Sequence, residues 1–198
     1  MNGEINQDYR FLKPILEEIR GKRVLDAGCG EGLYAELLAK KNTVWGIDDF
    51  SQKKNYPVWK SAVKGDVCDL PFEKESFALI VSIEVITHLP RDKQHVALNE
   101  FYRVLKHGGI AWISFHNAWR IKEKEGWIHP VFFNDTFWAL EKIGLQPINW
   151  QMINFFQALN ENMPKWKQIP LVFWEEVFTR MPGNQFLSTS ILFKVKKT

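Results

Sequence analysis

Between Lys22 and Gly32 the chain reads KRVLDAGCGEG. A short apolar run ending in an acid, Val24-Leu25-Asp26, leads into glycines at 28, 30 and 32, and Leu33 to Leu38 then repeats apolar residues at helical spacing. The pattern predicts strand, glycine loop, helix. Such a turn opens a βαβ unit, where missing Cβ atoms let backbone come close to a ligand and the first helical N–H groups face it with partial positive charge.

Glycine spacing separates two ligand classes. A dinucleotide fingerprint G-x-G-x-x-G beginning at Gly28 needs a glycine at position 33, and Leu33 stands there, which weakens a pyrophosphate reading. A second predicted strand, Asn42 to Asp48, ends in a carboxylate suited to both hydroxyls of an adenosine ribose; Asp49 is its nearest competitor. Further along, Ala62-Val63-Lys64 reads as a short strand entering the acidic loop GDVCDLPF, and Phe77 to Ser82 is a continuous apolar run of the kind a central parallel strand needs. Then follow SIEVITHLP, a helix over Arg91–Lys106 ended by His107-Gly108-Gly109, and a fifth strand over Ile110–Phe115.

These blocks, over about residues 20 to 150, resemble the class I S-adenosylmethionine-dependent methyltransferases, specifically small-molecule ones of the methyltransferase type 11, ubiquinone-pathway-like kind. The resemblance implies an α/β fold, a doubly wound, mostly parallel seven-stranded sheet with an antiparallel last strand. It implies S-adenosyl-L-methionine as cofactor, held by Asp26, Gly28, Cys29, Gly30, Asp48, Asp66, Val67 and Ser82. Within that set Asp26, Gly28 and Gly30 would line the methionine part, with loop N–H groups aimed at its carboxylate. Asp48 would take the ribose, Asp66 the adenine 6-amino group, and the Val67 N–H a ring nitrogen. Three positions depart from the family pattern: Ala78 for a usual Asp, Thr87 for an acid, and His107 for a usual Pro.

A helix over Tyr9–Ile19, broken by Pro14, precedes the first strand. After Asp48 the crossover is polar, interrupted by Pro57, and reads as short. Asn134-Asp135-Thr136 reads as the cap of a helix over Phe137–Ile143, Gln146–Ile153 as a sixth strand, and Phe186–Val195 as the last. Residues 154–184, with Pro170, Leu171, Trp174, Phe178 and Met181, read as a helical insertion before that last strand, within a single domain over 1–198.

Composition narrows the function. A net charge of +3 with basic residues dispersed except for Lys194, Lys196 and Lys197 at the tail gives no nucleic-acid stripe, and no apolar run is long enough for a membrane span. Two cysteines without metal spacing and a start lacking a signal segment point to the cytoplasm. Glu84 and His88 share a face if helical, but two ligands are too few for a metal, so none is expected and a capping or structural role fits them better.

The expected reaction is in-line methyl transfer to the O, N or C atom of a small-molecule acceptor. Catalysis then asks mainly for positioning, water exclusion and, where the acceptor carries a proton, a base. Candidate bases are His116 and His129, with His88 third. Alternatives stay open: a non-catalytic S-adenosylmethionine binder, or a nicotinamide-dependent oxidoreductase, which has no need of the GDVCDLPF block. A nucleic-acid methyltransferase is disfavoured, since Ser82-Ile83-Glu84-Val85 is unlike the Asn/Asp-Pro-Pro-aromatic motif expected after the fourth strand. The acceptor's identity and the oligomeric state are not encoded in these motifs.

Overall fold

A run of apolar residues buried on both sides makes a strand that must lie between two helical layers. Among the described strands β1 (Arg23–Ala27), β2 (Thr43–Asp48), β4 (Phe77–Ser82), β5 (Leu105–His116) and β7 (Ser190–Lys197) give buried residues to both layers. In the computed structural model, which describes residues 7–50, 62–119, 128–153 and 188–198, Val24 and Leu25 of β1 are both fully buried yet belong to different cores. The elements in chain order are α1 (Gln7–Glu17), β1 (Arg23–Ala27), α2 (Leu33–Ala39), β2 (Thr43–Asp48), β3 (Ala62–Lys64) and β4 (Phe77–Ser82). A 3₁₀ turn (Ile86–His88), α3 (Arg91–Val104), β5 (Leu105–His116), α4 (Phe133–Ile143), β6 (Leu145–Ile153) and β7 (Ser190–Lys197) follow.

The seven strands form one sheet in the order β3-β2-β1-β4-β5-β7-β6. Strands β1 to β5 pair in parallel, whereas β7 runs antiparallel to both β5 and β6. The expected doubly wound sheet with an antiparallel last strand is therefore present. One face packs Leu12, Leu16, Tyr34 and Leu38 from α1 and α2 against Val24, Val44 and Val81. The other packs Ala97, Phe101 and Leu140 from α3 and α4 against Leu25, Ile47, Ile80 and Ile113. Sequence order reverses between β1 and β4, and the carboxyl ends of strands beside such a switch point are where open α/β sheets hold ligands.

Several boundaries differ from the sequence expectation. Strand β5 begins at Leu105, five residues early, because Gly108 at φ +71° keeps His107-Gly108-Gly109 in the strand's path and the register with β4 shifts between Phe77 and Leu79. Helix α4 begins at Phe133 without a side-chain cap; Thr136 Oγ1 instead donates back to the Phe132 carbonyl at 3.0 Å. The Phe133 ring, stacked on Phe193 of β7 with centroids 5.4 Å apart, draws the helix start towards the sheet. Helix α1 starts and ends two residues earlier than expected, and β7 runs on to Lys197. The crossover after Asp48 and the helical insertion over 154–184 lie outside the described residues. Among the described residues no helix is long and apolar enough to cross a membrane.

Candidate functional site

The glycine loop is shaped by where its N–H groups go. Gly28 and Cys29 both donate to the Ile47 carbonyl, at 2.7 and 3.0 Å, Gly30 donates to Asp48 Oδ2 at 2.9 Å, and Gly32 to the Cys29 carbonyl at 2.8 Å. Four donors expected to face a ligand carboxylate are thus engaged within the protein. The glycines are required for a different reason. Gly28 has φ +78°, and a Cβ there would collide with the side chain of Val85. Cys29, 6% exposed, has its thiol pushed up to about 12 by burial and by the Asp26 and Asp48 carboxylates, which makes it a poor nucleophile.

Two polar atoms at the carboxyl edge of the sheet are buried with no hydrogen-bond partner among the described residues, Asp26 Oδ2 on β1 and Ser82 Oγ on β4. These strands are direct neighbours, with Asp26 paired to Val81, so the two atoms belong to one locality. Burial pushes the Asp26 carboxyl up to about 7; the Asp48 charge adds to the rise and the Ala35 N–H opposes it. A buried orphan of this kind costs roughly 1–3 kcal/mol, and a polar ligand relieves it.

Asp48 closes the site at the end of β2. Its Oδ2 receives Gly30 N–H, its Oδ1 receives the Phe50 N–H at 2.8 Å, and its carbonyl receives the Gly65 N–H at 3.0 Å. Phe50 stands at φ +54°. The loop after β3 is a tight turn in which Asp66 Oδ1 accepts the Cys68 N–H at 2.8 Å and the Asp66 carbonyl accepts that of Asp69 at 3.1 Å. Asp66 is exposed and Val67 is buried.

A second polar group lies past β4 and β5. Glu84 has φ +57°, a strained conformation for a residue with a side chain, and its N–H donates to Ser114 Oγ at 2.7 Å. Glu84 Oε1 lies 3.6 Å from His116 Nε2, and Thr87 Oγ1 lies 3.1 Å from His116 Nδ1. The His88 ring meets that of His116 edge-on at 5.8 Å. Both nitrogens of the buried His116 therefore face protein groups, while the Glu84 side chain is 30% accessible. His129 reaches the cluster through its backbone, donating to the Thr87 carbonyl at 2.7 Å and accepting from Gln94 Nε2 at 3.0 Å. Sequence reading gave Glu84 a capping role and took Thr87 as a lost acid; the left-handed backbone of Glu84 and the Thr87–His116 contact, 29 residues apart, had no local signature. Among the described residues no group of three or more His, Cys, Asp and Glu side chains is arranged to hold a metal ion. A cavity of about 210 Å³ lies between α3 and α4, lined by Gln94, Leu98, Phe115 and Thr136, apart from the edge that holds Asp26 and Asp48.

A family profile described as a methyltransferase domain matches residues 25–113, the span containing the glycine loop, Asp48, Asp66, Ser82 and Glu84. Over 190 residues, 87% of the chain, the sequence is 31% identical to a "probable phthiotriol/phenolphthiotriol dimycocerosates methyltransferase 2" of Mycobacterium ulcerans, of which it covers 66%. Residues 25–113 belong to the S-adenosylmethionine-dependent methyltransferase family. Another relative of this methyltransferase is a "probable 18S rRNA (guanine-N(7))-methyltransferase" of Dictyostelium discoideum, 29% identical over 120 residues, 53% of this chain and 42% of that protein. The methyltransferase thus spans between two fifths and two thirds of the length of these two relatives. Its fold is also that of the Burkholderia thailandensis 1,6-didemethyltoxoflavin-N1-methyltransferase solved with S-adenosylhomocysteine, at a TM-score of 0.64 and 16% identity over 96% of this chain and 77% of that one.

Proposed function

We propose that this methyltransferase binds S-adenosylmethionine along the carboxyl edge of β1, β2 and β4 and transfers a methyl group in line to a small-molecule acceptor. The observation that carries the reading is the pair of orphaned buried atoms, Asp26 Oδ2 and Ser82 Oγ, beside the acid Asp48 at the switch point. Asp26, with Gly28, Cys29 and Gly30 giving close backbone approach, holds the methionine part, and its carboxylate complements an ammonium. Ser82 gains a polar partner at the same end. Asp48 takes the ribose, and Asp66 with the Val67 N–H takes the adenine.

The bound cofactor supplies a methyl group on a sulfonium whose thioether departs neutral. The chain's own residues then orient, exclude water and accept a proton where the acceptor carries one. The proton-accepting set is Glu84 with His116: the more accessible carboxylate meets the acceptor, and the imidazole behind it is fixed by Thr87. His129 supports this pair through the Thr87 carbonyl. A small acceptor rather than a nucleic acid is favoured by dispersed basic residues and by Ser82-Ile83-Glu84-Val85 in place of a base-holding motif. Two free thiols, Cys29 and Cys68, suit a reducing compartment such as the cytoplasm.

Thermal shift with S-adenosylmethionine, S-adenosylhomocysteine, NAD and NADP at matched concentrations tests the reading. A ligand at a hundred times its Kd adds about 2.7 kcal/mol, a rise of several degrees for a domain of this size. Stabilisation by the two sulfur ligands alone is the expected result; stabilisation by a nicotinamide cofactor overturns it.

A further inference from the structure

Glu100 and Arg103 sit on α3, outside the edge that holds Asp26 and Asp48, yet five short hydrogen bonds join them to each other and to the loop that follows β3. Arg103 Nε and Nη2 donate to the two Glu100 carboxylate oxygens, each at 2.7 Å. The same guanidinium donates from Nη1 to the Phe72 carbonyl at 2.7 Å and from Nη2 to the Leu70 carbonyl at 2.9 Å, while Glu100 Oε2 accepts the Leu70 N–H at 2.8 Å. Leu70 itself is 3% exposed, so the clasped residue is also a core residue. At its other end the loop is fastened by the Gly65 N–H on the Asp48 carbonyl, and Gly65 packs closely on Ile47, whose Cδ1 would lie 2.8 Å from an added Cβ and would have to shift.

Only residues 66–69 lie between these two anchors, closed into a turn by the Asp66 bonds to Cys68 and Asp69. A turn this short, pinned at both ends, has little freedom, and its exposed side chains are Asp66 and Asp69. We infer that Arg103 and Glu100 are positioning residues for adenine recognition, holding Asp66 and the Val67 N–H at a fixed height above the sheet edge without touching the ligand. The inference rests on the assignment of that loop to the adenine. The planar guanidinium serves three acceptors on different atoms at once, Glu100, Leu70 and Phe72, which an ammonium on a flexible stem cannot reproduce. Hydrogen bonding within the pair, with charge adding to it, draws the Glu100 carboxyl below its ordinary range and raises the guanidinium.

The test is calorimetric titration of the intact protein with S-adenosylhomocysteine and with S-inosylhomocysteine, whose ring carries a 6-oxo group in place of the 6-amino donor. Wild type is expected to prefer the amino ligand by about tenfold or more, the effect of one hydrogen bond to a carboxylate. Arg103→Met and the milder Arg103→Lys are expected to weaken the amino ligand by about tenfold and a few-fold respectively, with the 6-oxo ligand changed less than twofold. In an Asp66→Ala background, Arg103→Lys is expected to cost no further affinity. Leu192→Ala provides the comparison for general destabilisation, because Leu192 is fully buried in β7, with four strands between it and β3, and it is expected to leave the ligand ratio unchanged. An unchanged ratio in both Arg103 variants overturns the inference while leaving the adenine assignment intact. A wild type that binds S-adenosylhomocysteine without preferring it overturns the adenine assignment and the inference with it, and absence of binding removes the cofactor reading altogether.

Discussion

Asp48 Oδ2 accepts the Gly30 N–H at 2.9 Å, so the acid that ends β2 and the loop that leaves β1 are a single hydrogen-bonded unit. The same carboxylate holds the Phe50 N–H through its other oxygen. The residue proposed for the ribose is therefore also part of the loop proposed for the methionine part.

Asp48→Ala leaves two backbone donors without their carboxylate, at a cost of about 1–3 kcal/mol in stability, and also removes the ribose acceptor. Calorimetry is expected to show a lowered Tm and a loss of S-adenosylhomocysteine affinity of about a hundredfold, as befits two charge-assisted bonds. Wild-type affinity in this variant would remove Asp48 from the site.

Asp26 makes the protein's stability depend on pH in an unusual direction for a carboxylate. Its folded value of about 7 lies above the ordinary value of 3.8, so between those limits the folded chain keeps a proton that the unfolded chain has released. This contribution therefore declines as pH rises through the window. Asp26→Asn abolishes it: the difference in Tm between variant and wild type is expected to grow in the variant's favour from pH 5 to pH 8. Cofactor binding is expected to follow the opposite trend if Asp26 meets the ammonium, which favours the ionised acid, with wild-type affinity falling as pH drops below about 7.

Gly28→Ala meets two separate penalties, a left-handed backbone and the Val85 side chain. Together they amount to about 2–4 kcal/mol. Val85→Ala in the same chain is expected to restore only the steric part, so chemical denaturation of the double variant should fall between Gly28→Ala and wild type. A double variant no more stable than Gly28→Ala would show that the Val85 contact is unimportant.

Glu84 offers a way to separate strain from chemistry. Glycine adopts φ +57° without cost, and after allowing for its greater freedom in the unfolded chain, Glu84→Gly is expected to stabilise the protein by about 0.5–1 kcal/mol, a Tm rise of a few degrees. S-adenosylhomocysteine affinity should stay within about threefold, since the change leaves Asp26, Asp48 and Asp66 in place. A lowered Tm would mean that the contact with His116 outweighs the backbone strain.

Much of this was readable from the chain because its signals are local. The apolar runs of β1, β2 and β4, the glycines at 28, 30 and 32, and Asp48 at a strand end all fall within a few residues of the features they create. What escaped depends on residues far apart in sequence. The loop donors look available until Ile47, on the neighbouring strand, takes two of them. Asn134-Asp135-Thr136 has the composition of a cap, but the start of α4 follows the Phe133–Phe193 stack. Glu100 and Arg103 resemble any surface ion pair at helical spacing, and only the folded chain brings Leu70 and Phe72, about thirty residues earlier, onto them.

The insertion of β7 between β5 and β6 fixes the order in which the sheet can be assembled. Strands β1 to β5 can pair as they emerge, each beside a strand already made, but β6 touches the sheet only through a strand that comes after it in the chain. Until Ser190–Lys197 arrives, β6 and the aromatic side of α4 that packs on β7 have no place to dock, and the outer edge of β5 is open. Pairings this distant in sequence form slowly. Newly made chains therefore pass through a stage in which the carboxyl edge of β1, β2 and β4 exists and two of the sheet's seven strands do not, and that unpaired β5 edge is where aggregation or chaperone capture would act.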